Sequence, residues 1–253
     1  MVRGLYTSAI GMKTQFKRMD VISNNLANVD NTGFKKDIVV SRSFPEELTK
    51  RINDRQNGFP NNRNIGRMSL GLYIDEVYTN FAQGSLSLTN DPFNLALDGK
   101  GFFAIQAEDG TERYTRDGSF VLNSDGILMT KEGNYVLGEN GIISLEEQGN
   151  IRIDEEGNIY LNNELVDRLR IVNFNNPESL RKVGDNLLER SNQSAEIAFE
   201  GKVLQGYLET SNVNVVQEMV DMIAATRIYE ANQKAVQTHD ETLGKAVNEV
   251  GRV

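Results

Sequence analysis

The sequence predicts an α+β protein: N- and C-terminal helices forming a coiled-coil-like helical domain, with an antiparallel, hairpin-rich β domain inserted between them. Two observations predict it. Apolar residues step by 4 and 3 at both ends of the chain, and Asp-Gly or Asn-Gly pairs recur at short intervals in the middle. The expected division is residues 1–36 as the first helix, 37–90 as an extended connector, 91–205 as the β domain and 206–253 as the second helix.

At the N-terminus, Leu5, Ala9, Met12, Phe16 and Met19 step by 4, 3, 4, 3, and Ile22, Leu26 and Val29 continue by 4 and 3 after one slip in phase. Gly33 then supplies a left-handed C-terminal cap, with Phe34 folding back onto the last turn. Asn24, Asn25, Asn28 and Asn31 crowd into these turns although asparagine is a mediocre helix former, about 0.5 kcal/mol per residue worse than Ala. The C-terminal seam is longer: Val215, Met219, Met222, Thr226, Tyr229, Gln233, Val236, Asp240, Leu243, Val247 and Val250 alternate steps of 4 and 3, and eight of these eleven are apolar. Val216, Val220 and Ile223 broaden the stripe near its start. Residues 1–36 hold six basic and two acidic residues, net +4, whereas residues 209–253 hold four and seven, net -3. Two apolar-striped helices of opposite charge are expected to pair.

Residues 41–70 contain Pro45, Pro60 and many polar side chains, which reads as an extended connector with one short helix around Glu46–Ile52. A connector this long is expected to be functional or to lie along a partner. From 91 to 200, short runs such as "GFFAIQ", "GSFVLN" and "NYVLG" sit between turns at Asp109-Gly110, Asp125-Gly126 and Asn140-Gly141, the signature of antiparallel hairpins.

The 253 residues are enough for one or two domains with a real core, and 39% hydrophobic with 25% charged residues is an ordinary balance. A net charge of -9 argues against a nucleic-acid partner. Without cysteine there is no disulfide or thiolate site, and His239 alone cannot make a multi-histidine metal site. No apolar run is long enough to enter a membrane as a helix, and the start lacks an apolar stretch of signal-peptide length. The expectation is a protein that stays in the cytoplasm or leaves by a route reading no cleavable signal. The Asp-Gly turns supply too few ligands at the wrong spacing for calcium loops. His239 beside Asp240 has no nucleophile motif to serve and reads as a partly exposed helix residue. The carboxylate pairs Glu46-Glu47, Glu146-Glu147 and Glu155-Glu156 read as solvated loops, and "GKGFF" is not a phosphate-binding loop. No enzyme and no cofactor is expected.

Three stretches carry a family resemblance. "ISNNLANVDNTGFKK" is similar to the N-terminal signature of the flagellar basal-body rod and hook family of axial proteins. "PFNLALDGKGFFAI" with "YTRDGSFVLNSDGILMTKEGNYVLG" resembles its core β motif, and "GYLETSNVNVVQEMVDMIAATRIYEANQKAVQTHDETLGKA" its C-terminal signature. They occur in the family's order and leave only residues 41–70 unmatched; within the family the likeness is to the rod proteins, distal or proximal.

The resemblance implies a structural subunit, not an enzyme, exported unfolded through the flagellar type III apparatus without a cleaved signal. Such subunits polymerise helically into the hollow drive shaft that transmits torque to the hook. Terminal helices form the inner tube and the β domain the outer layer. The implied partners are copies of itself, other rod proteins, the hook protein, the export apparatus and the surrounding ring proteins, in the cell envelope, with no nucleic acid and no membrane insertion. The expected subunit interface comprises the apolar seam residues Leu5, Ala9, Met12, Phe16, Met19, Ile22, Leu26, Val29, Val215, Met219, Met222, Tyr229, Val236, Leu243, Val247 and Val250. It also includes Asn24, Asn25 and Asn28, expected to bond other subunits and the connector and so to fix register. The alternatives are a hook-type axial subunit, or a secreted cell-wall- or glycan-binding β module oligomerised by its helices. The absence of Trp speaks against the second alternative.

Overall fold

Phe102 and Phe103 are adjacent, so on a strand they must point to opposite faces, and each supports its own core. Phe103 packs with Leu95, Leu97, Phe120, Leu128, Val136 and Ile159. Phe102 packs with Ala104, Tyr114, Val172, Phe174 and Leu188. Their strand, Phe102–Gln106, has antiparallel neighbours on both sides: Glu112–Thr115 on one, and Tyr135–Gly138 and Ile171–Phe174 on the other. With no open edge, it can carry a nearly continuous apolar run.

The computed structural model describes residues 2–50, 55–56, 59–60, 64–145, 149–184, 186–191 and 193–250. The architecture is α+β, with an N-terminal helix, a C-terminal helix and a β-rich middle. By contacts the chain divides into a β unit, Leu26–Lys36 with Thr79–Asn214, and a terminal unit, Met1–Asn25 with Asp37–Tyr78 and Val215–Val253. Charge divides with them. The terminal unit has 14 basic and 13 acidic residues, net +1, and the β unit 13 and 23, net -10.

In the β unit a ten-stranded sheet runs out from the central strand. A three-stranded antiparallel sheet, Ile151–Ile153, Asn158–Leu161 and Glu164–Arg168, stands beside it in sequence. Two further pairs join Leu95–Lys100 to Glu200–Gln205 and Leu86–Leu88 to Tyr207–Glu209. Positive φ at Gly110 and Gly126 marks the expected hairpin turns.

In the terminal unit, helix α1 spans Val2–Ala27 and helix α2 spans Val215–Lys245. Glu218 lies in the first turn of α2, where a carboxylate complements the helix dipole. Between the helices in sequence is a nested hairpin arm. Asp37–Ser43 pairs with Leu72–Thr79, Glu47–Lys50 with Asn64–Met68, and Arg55–Gln56 with Phe59–Pro60. The helix expected around Glu46–Ile52 therefore does not form. Glu47–Lys50 is strand, held in register by Glu47↔Met68 and Leu48↔Arg67, while Arg51 and Ile52 lie outside the described residues. A polar segment without visible period can still pair when its partner follows after a turn.

The end of α1 also differs from expectation. The helix stops at Ala27, so Asn28 and Val29 lie in the turn beyond it. Three-residue turns follow, Val29 N to Leu26 O, Asn31 N to Asn28 O and Phe34 N to Asn31 O. The Asn31 side chain donates to Asn28 Oδ1 at 2.7 Å. Asparagine here replaces the helical ladder with local side-chain bonds. Gly33 has the expected left-handed φ, +66°, but lies six residues past the last helical residue, too far to cap the helix. A Cβ there would overlap the backbone of Arg116 and Asp117, so the position is fixed by close approach.

Phe103 is wholly buried in the larger core. Phe103→Ala should lower the unfolding free energy by about 3–5 kcal/mol, read by urea denaturation; a change near zero would show that this core does not hold the unit together.

Candidate assembly interface

α1 and α2 run antiparallel, and their closest approach uses small and polar residues. A Cβ at Gly4 would lie 2.5 Å from His239 Nε2, and one at Gly11 would lie 3.0 Å from Asn232 Nδ2. Each pair is seven residues from the next, so the same face recurs every two turns. Further along, Thr226 Oγ1 donates to Met19 Sδ at 3.4 Å, Arg18 pairs with Asp221 at 3.8 Å, and Asn25 reaches Glu218. His239, read from sequence as a partly exposed helix residue, is half-buried in this contact.

Covered positions of α2 include Val215, Glu218, Met222, Ala225, Thr226, Tyr229, Asn232, Val236, His239 and Leu243. Val215, Met222, Thr226, Tyr229, Val236 and Leu243 belong to the seam read from sequence, whereas Glu218, Ala225, Asn232 and His239 each stand one position before a seam residue. Met219, Gln233, Asp240 and Val247 are exposed, while Val215 and Thr226 are half-buried. The face that α2 turns to α1 thus overlaps the seam and is displaced from it by less than one position. On α1, Gly4 and Gly11 make the contact, whereas the neighbouring seam residues divide. Leu5, Met12 and Met19 are half-buried, Ile22 is buried, Ala9 is exposed and Phe16 is 62% exposed. The physical reason is distance: glycine lets the backbones approach, and an apolar seam of larger side chains would hold them apart. The side chain of Val250 lies outside the described residues.

A second face of α1 meets the arm. Thr7 Oγ1 donates to Leu70 O at 2.8 Å, Thr14 Oγ1 reaches Leu72 O at 3.5 Å, and Ile10 packs by Gly71. Among the residues that both contacts leave outward are several large apolar ones. Val216, Val220 and Ile223 are 72%, 55% and 55% exposed, and Tyr6 and Phe16 stand out on α1.

Asn25 explains part of the asparagine cluster. Its carboxamide donates to Asp37 O and accepts from Asp37 N, both at 2.9 Å, and also reaches Glu218 Oε2 at 3.4 Å. A planar amide is the side chain that can match both backbone polar groups of one residue. Asn24 is exposed, and Asn28 is held by Asn31 as described. Of the remaining expected interface residues, Leu26 and Val29 are half-buried.

In the β unit, three charged side chains are buried together. Glu209, 1% exposed, takes Lys35 Nζ and Gly84 N (2.7 Å) on Oε1, and Arg116 Nε on Oε2 at 2.5 Å. Arg116 also donates to the carbonyls of Leu97, Gly99 and Gly101, and Lys35 to Ala82 O. Gly33 N donates to the Glu209 carbonyl at 2.8 Å, and Thr32 Oγ1 to Asp117 Oδ1 at 2.6 Å. Burial by itself would raise the Glu209 carboxyl, but Arg116 and Lys35, with the hydrogen bonds, hold it below the usual carboxylate range. Sequence reasoning missed this cluster because its members are 93 and 174 residues apart. It missed Gly4 and Gly11 although their seven-residue spacing was visible. Among the described residues no cluster suits a metal ion, and no helix is long and apolar enough to cross a membrane.

Residues 5–35 match the family model described as flagella basal body rod protein, residues 96–161 the flagellar hook protein FlgE/F/G D1 domain, and residues 204–249 the flagellar basal body rod FlgEFG protein C-terminal model. The chain belongs to the flagellar basal-body rod protein family. It is 40% identical to the flagellar basal-body rod protein FlgG of Borreliella burgdorferi, with 98% of each chain covered. It is 35% identical to FlgG of Bacillus subtilis, covering 98% of this chain and 99% of that one. The flagellar hook-basal body complex protein FlhO of Bacillus subtilis is 30% identical over the whole of both chains. Lys35, Arg116 and Glu209 fall one in each of the three matched regions.

Two outcomes are expected for members of this family built as described. Asn25→Ala should reduce amide protection at Asp37 by about 1–3 kcal/mol, and Asn25→Asp, which adds a carboxylate beside Glu218, should do so at least as strongly; unchanged exchange would show that the double bond to Asp37 does not matter. For Glu209, a carboxyl whose folded pKa is depressed contributes stability that is present above its unfolded pKa and lost as pH falls through the folded value. Acid titration of the wild-type chain should therefore show that loss below the usual carboxylate range. Glu209→Gln should remove it while costing about 3–5 kcal/mol at neutral pH, and an identical acid profile in the variant would reject the assignment.

Proposed function

We propose that this protein is a structural subunit of the flagellar basal-body rod that polymerises helically through its terminal helices. The observation that carries the reading is the pairing of α1 with α2 through small and polar residues, which leaves Phe16, Val216, Val220 and Ile223 outward. An exposed apolar stripe on a helix pair supports burial against further copies, in coiled-coil-like packing. Met219 and Val247 extend that stripe, and the exposed seam residues with Asn24 and Asn28 are the positions we assign to subunit contacts.

On this reading residues 1–36 and 206–253 supply the inner tube, 37–90 a connecting arm and 91–205 the outer layer of a hollow shaft that transmits torque to the hook. The protein acts by shape and not by catalysis. It leaves the cell unfolded through the flagellar type III apparatus without a cleaved signal and assembles in the periplasmic space. Other rod proteins and the hook protein adjoin it along the axis. The β unit, net -10, supports basic surfaces on the surrounding ring proteins as its outer neighbours.

The deciding experiment is an in-frame deletion followed by electron microscopy of purified basal bodies. A short or missing rod without a hook is expected, and the length of the stub separates a proximal from a distal position. A complete rod lacking only the hook would make the protein a hook-type subunit, and intact flagella would reject the proposal. In the chromosomal copy, Val220→Asp with Ile223→Asp should abolish motility and rod completion while the purified chain keeps its β-sheet circular dichroism. Normal swimming would show that this stripe is not an interface.

A further inference from the structure

We propose that Glu209 is the closing charge of the β unit: a chain that emerges N-terminus first cannot bury Arg116 and Lys35, and so cannot complete this unit, until residue 209 has arrived. Lys35 precedes Glu209 by 174 residues and Arg116 precedes it by 93, yet both ion pairs run to that one carboxylate. In the completed fold the side chains of Lys35 and Arg116 are each 5% exposed and that of Glu209 is 1% exposed.

Without Glu209 the pocket would hold two like charges. Arginine is not deprotonated in proteins, so Arg116 has no neutral form to adopt. The carbonyls of Leu97, Gly99 and Gly101 accept its hydrogen bonds but supply no opposite charge. Burying it beside the Lys35 ammonium is then less favourable than leaving both in water. Leu97 and Gly99 belong to the strand Leu95–Lys100, and Gly101 immediately precedes the central strand Phe102–Gln106. The segments that build the two cores are therefore the ones that Arg116 must pin.

Residue 209 also closes the unit through its backbone. Its carbonyl accepts from Gly33, its carboxylate from Gly84, and its strand Tyr207–Glu209 pairs with Leu86–Leu88. It thus contacts the early segment, the middle and the pocket at once. Only 44 of the 253 residues follow it. If the chain travels through an export channel, as proposed above, a fold that waits for Glu209 keeps most of it threadable; the folding order itself does not rest on that reading.

The test is pulse-labelled amide exchange during refolding of the full-length chain. Wild type should gain protection in Phe102–Gln106 and Tyr207–Glu209 in the same phase. E209Q should gain both at least tenfold more slowly, or not at all. With all three charges removed, in the variant carrying K35M, R116M and E209M, protection of Phe102–Gln106 should return and run ahead of Tyr207–Glu209. Wild-type protection of Phe102–Gln106 appearing first overturns the proposal, as does E209Q refolding at the wild-type rate. The wild-type order decides the question even where a variant does not fold. A positive result together with flagella that assemble without this protein would sink the rod assignment and leave the folding order standing.

Discussion

The β unit depends on one buried carboxylate. Glu209 draws together the segment after α1, through Lys35 and Gly33, and the segment around Ala82 and Gly84. Through Arg116 it also reaches the strand Leu95–Lys100 and Gly101 after it. Buried ion pairs are weak stabilisers in net terms, because desolvation offsets most of the Coulombic gain. Their asymmetry matters more: removing one partner leaves an uncompensated charge. Two cations and one anion, with every remaining guanidinium bond going to a named carbonyl, tolerate few alternative arrangements. An apolar cluster of the same volume would be satisfied by many. The charges contribute uniqueness of arrangement where three distant segments must meet.

Asn25 applies related logic in the terminal unit. A helix end next to the start of a strand exposes backbone groups on both sides, and each buried group needs a partner. The carboxamide supplies a donor and an acceptor in one plane, so a single side chain acts as a short piece of sheet for Asp37. The neighbouring asparagines do something different. Asn28 and Asn31 bond each other and turn the chain out of the helix. One residue type, crowded into eight positions, serves two needs that composition alone does not separate.

What was legible in the sequence follows from range. Hairpin turns at Asp109-Gly110 and Asp125-Gly126 and the existence of both helices depend on residues within a few positions of each other. The hairpin arm was not legible, because Glu47–Lys50 lacks alternation and finds its partner only at Asn64–Met68. The helix end was misplaced for a related reason: the 4-and-3 apolar spacing continues through Leu26 and Val29 after the asparagines have already broken the ladder. The triad was invisible because nothing in a lone Lys, Arg or Glu says that it will be buried. The family likeness located all three signatures, yet it did not say that they meet on a single side chain.

The displaced helix face is the most informative of these differences. A heptad pattern in sequence reports that some face of a helix is apolar, and it is tempting to assign that face to the nearest helix in the same chain. Here Gly4 and Gly11 bring α1 against Asn232 and His239, so the intrachain contact is closest where the residues are small and polar. Close contact between backbones favours small residues, while burial of wide apolar surface favours Phe, Val and Ile, and one face cannot satisfy both demands. The chain separates them, using glycine for its own pairing and leaving Phe16, Val220 and Ile223 free of it. A sequence selected only for the stability of the isolated chain would have little reason to keep such residues outward along two turns of α2. Their outward placement is intelligible when the helix pair is itself a component, complete in its inner contact and incomplete in its outer one.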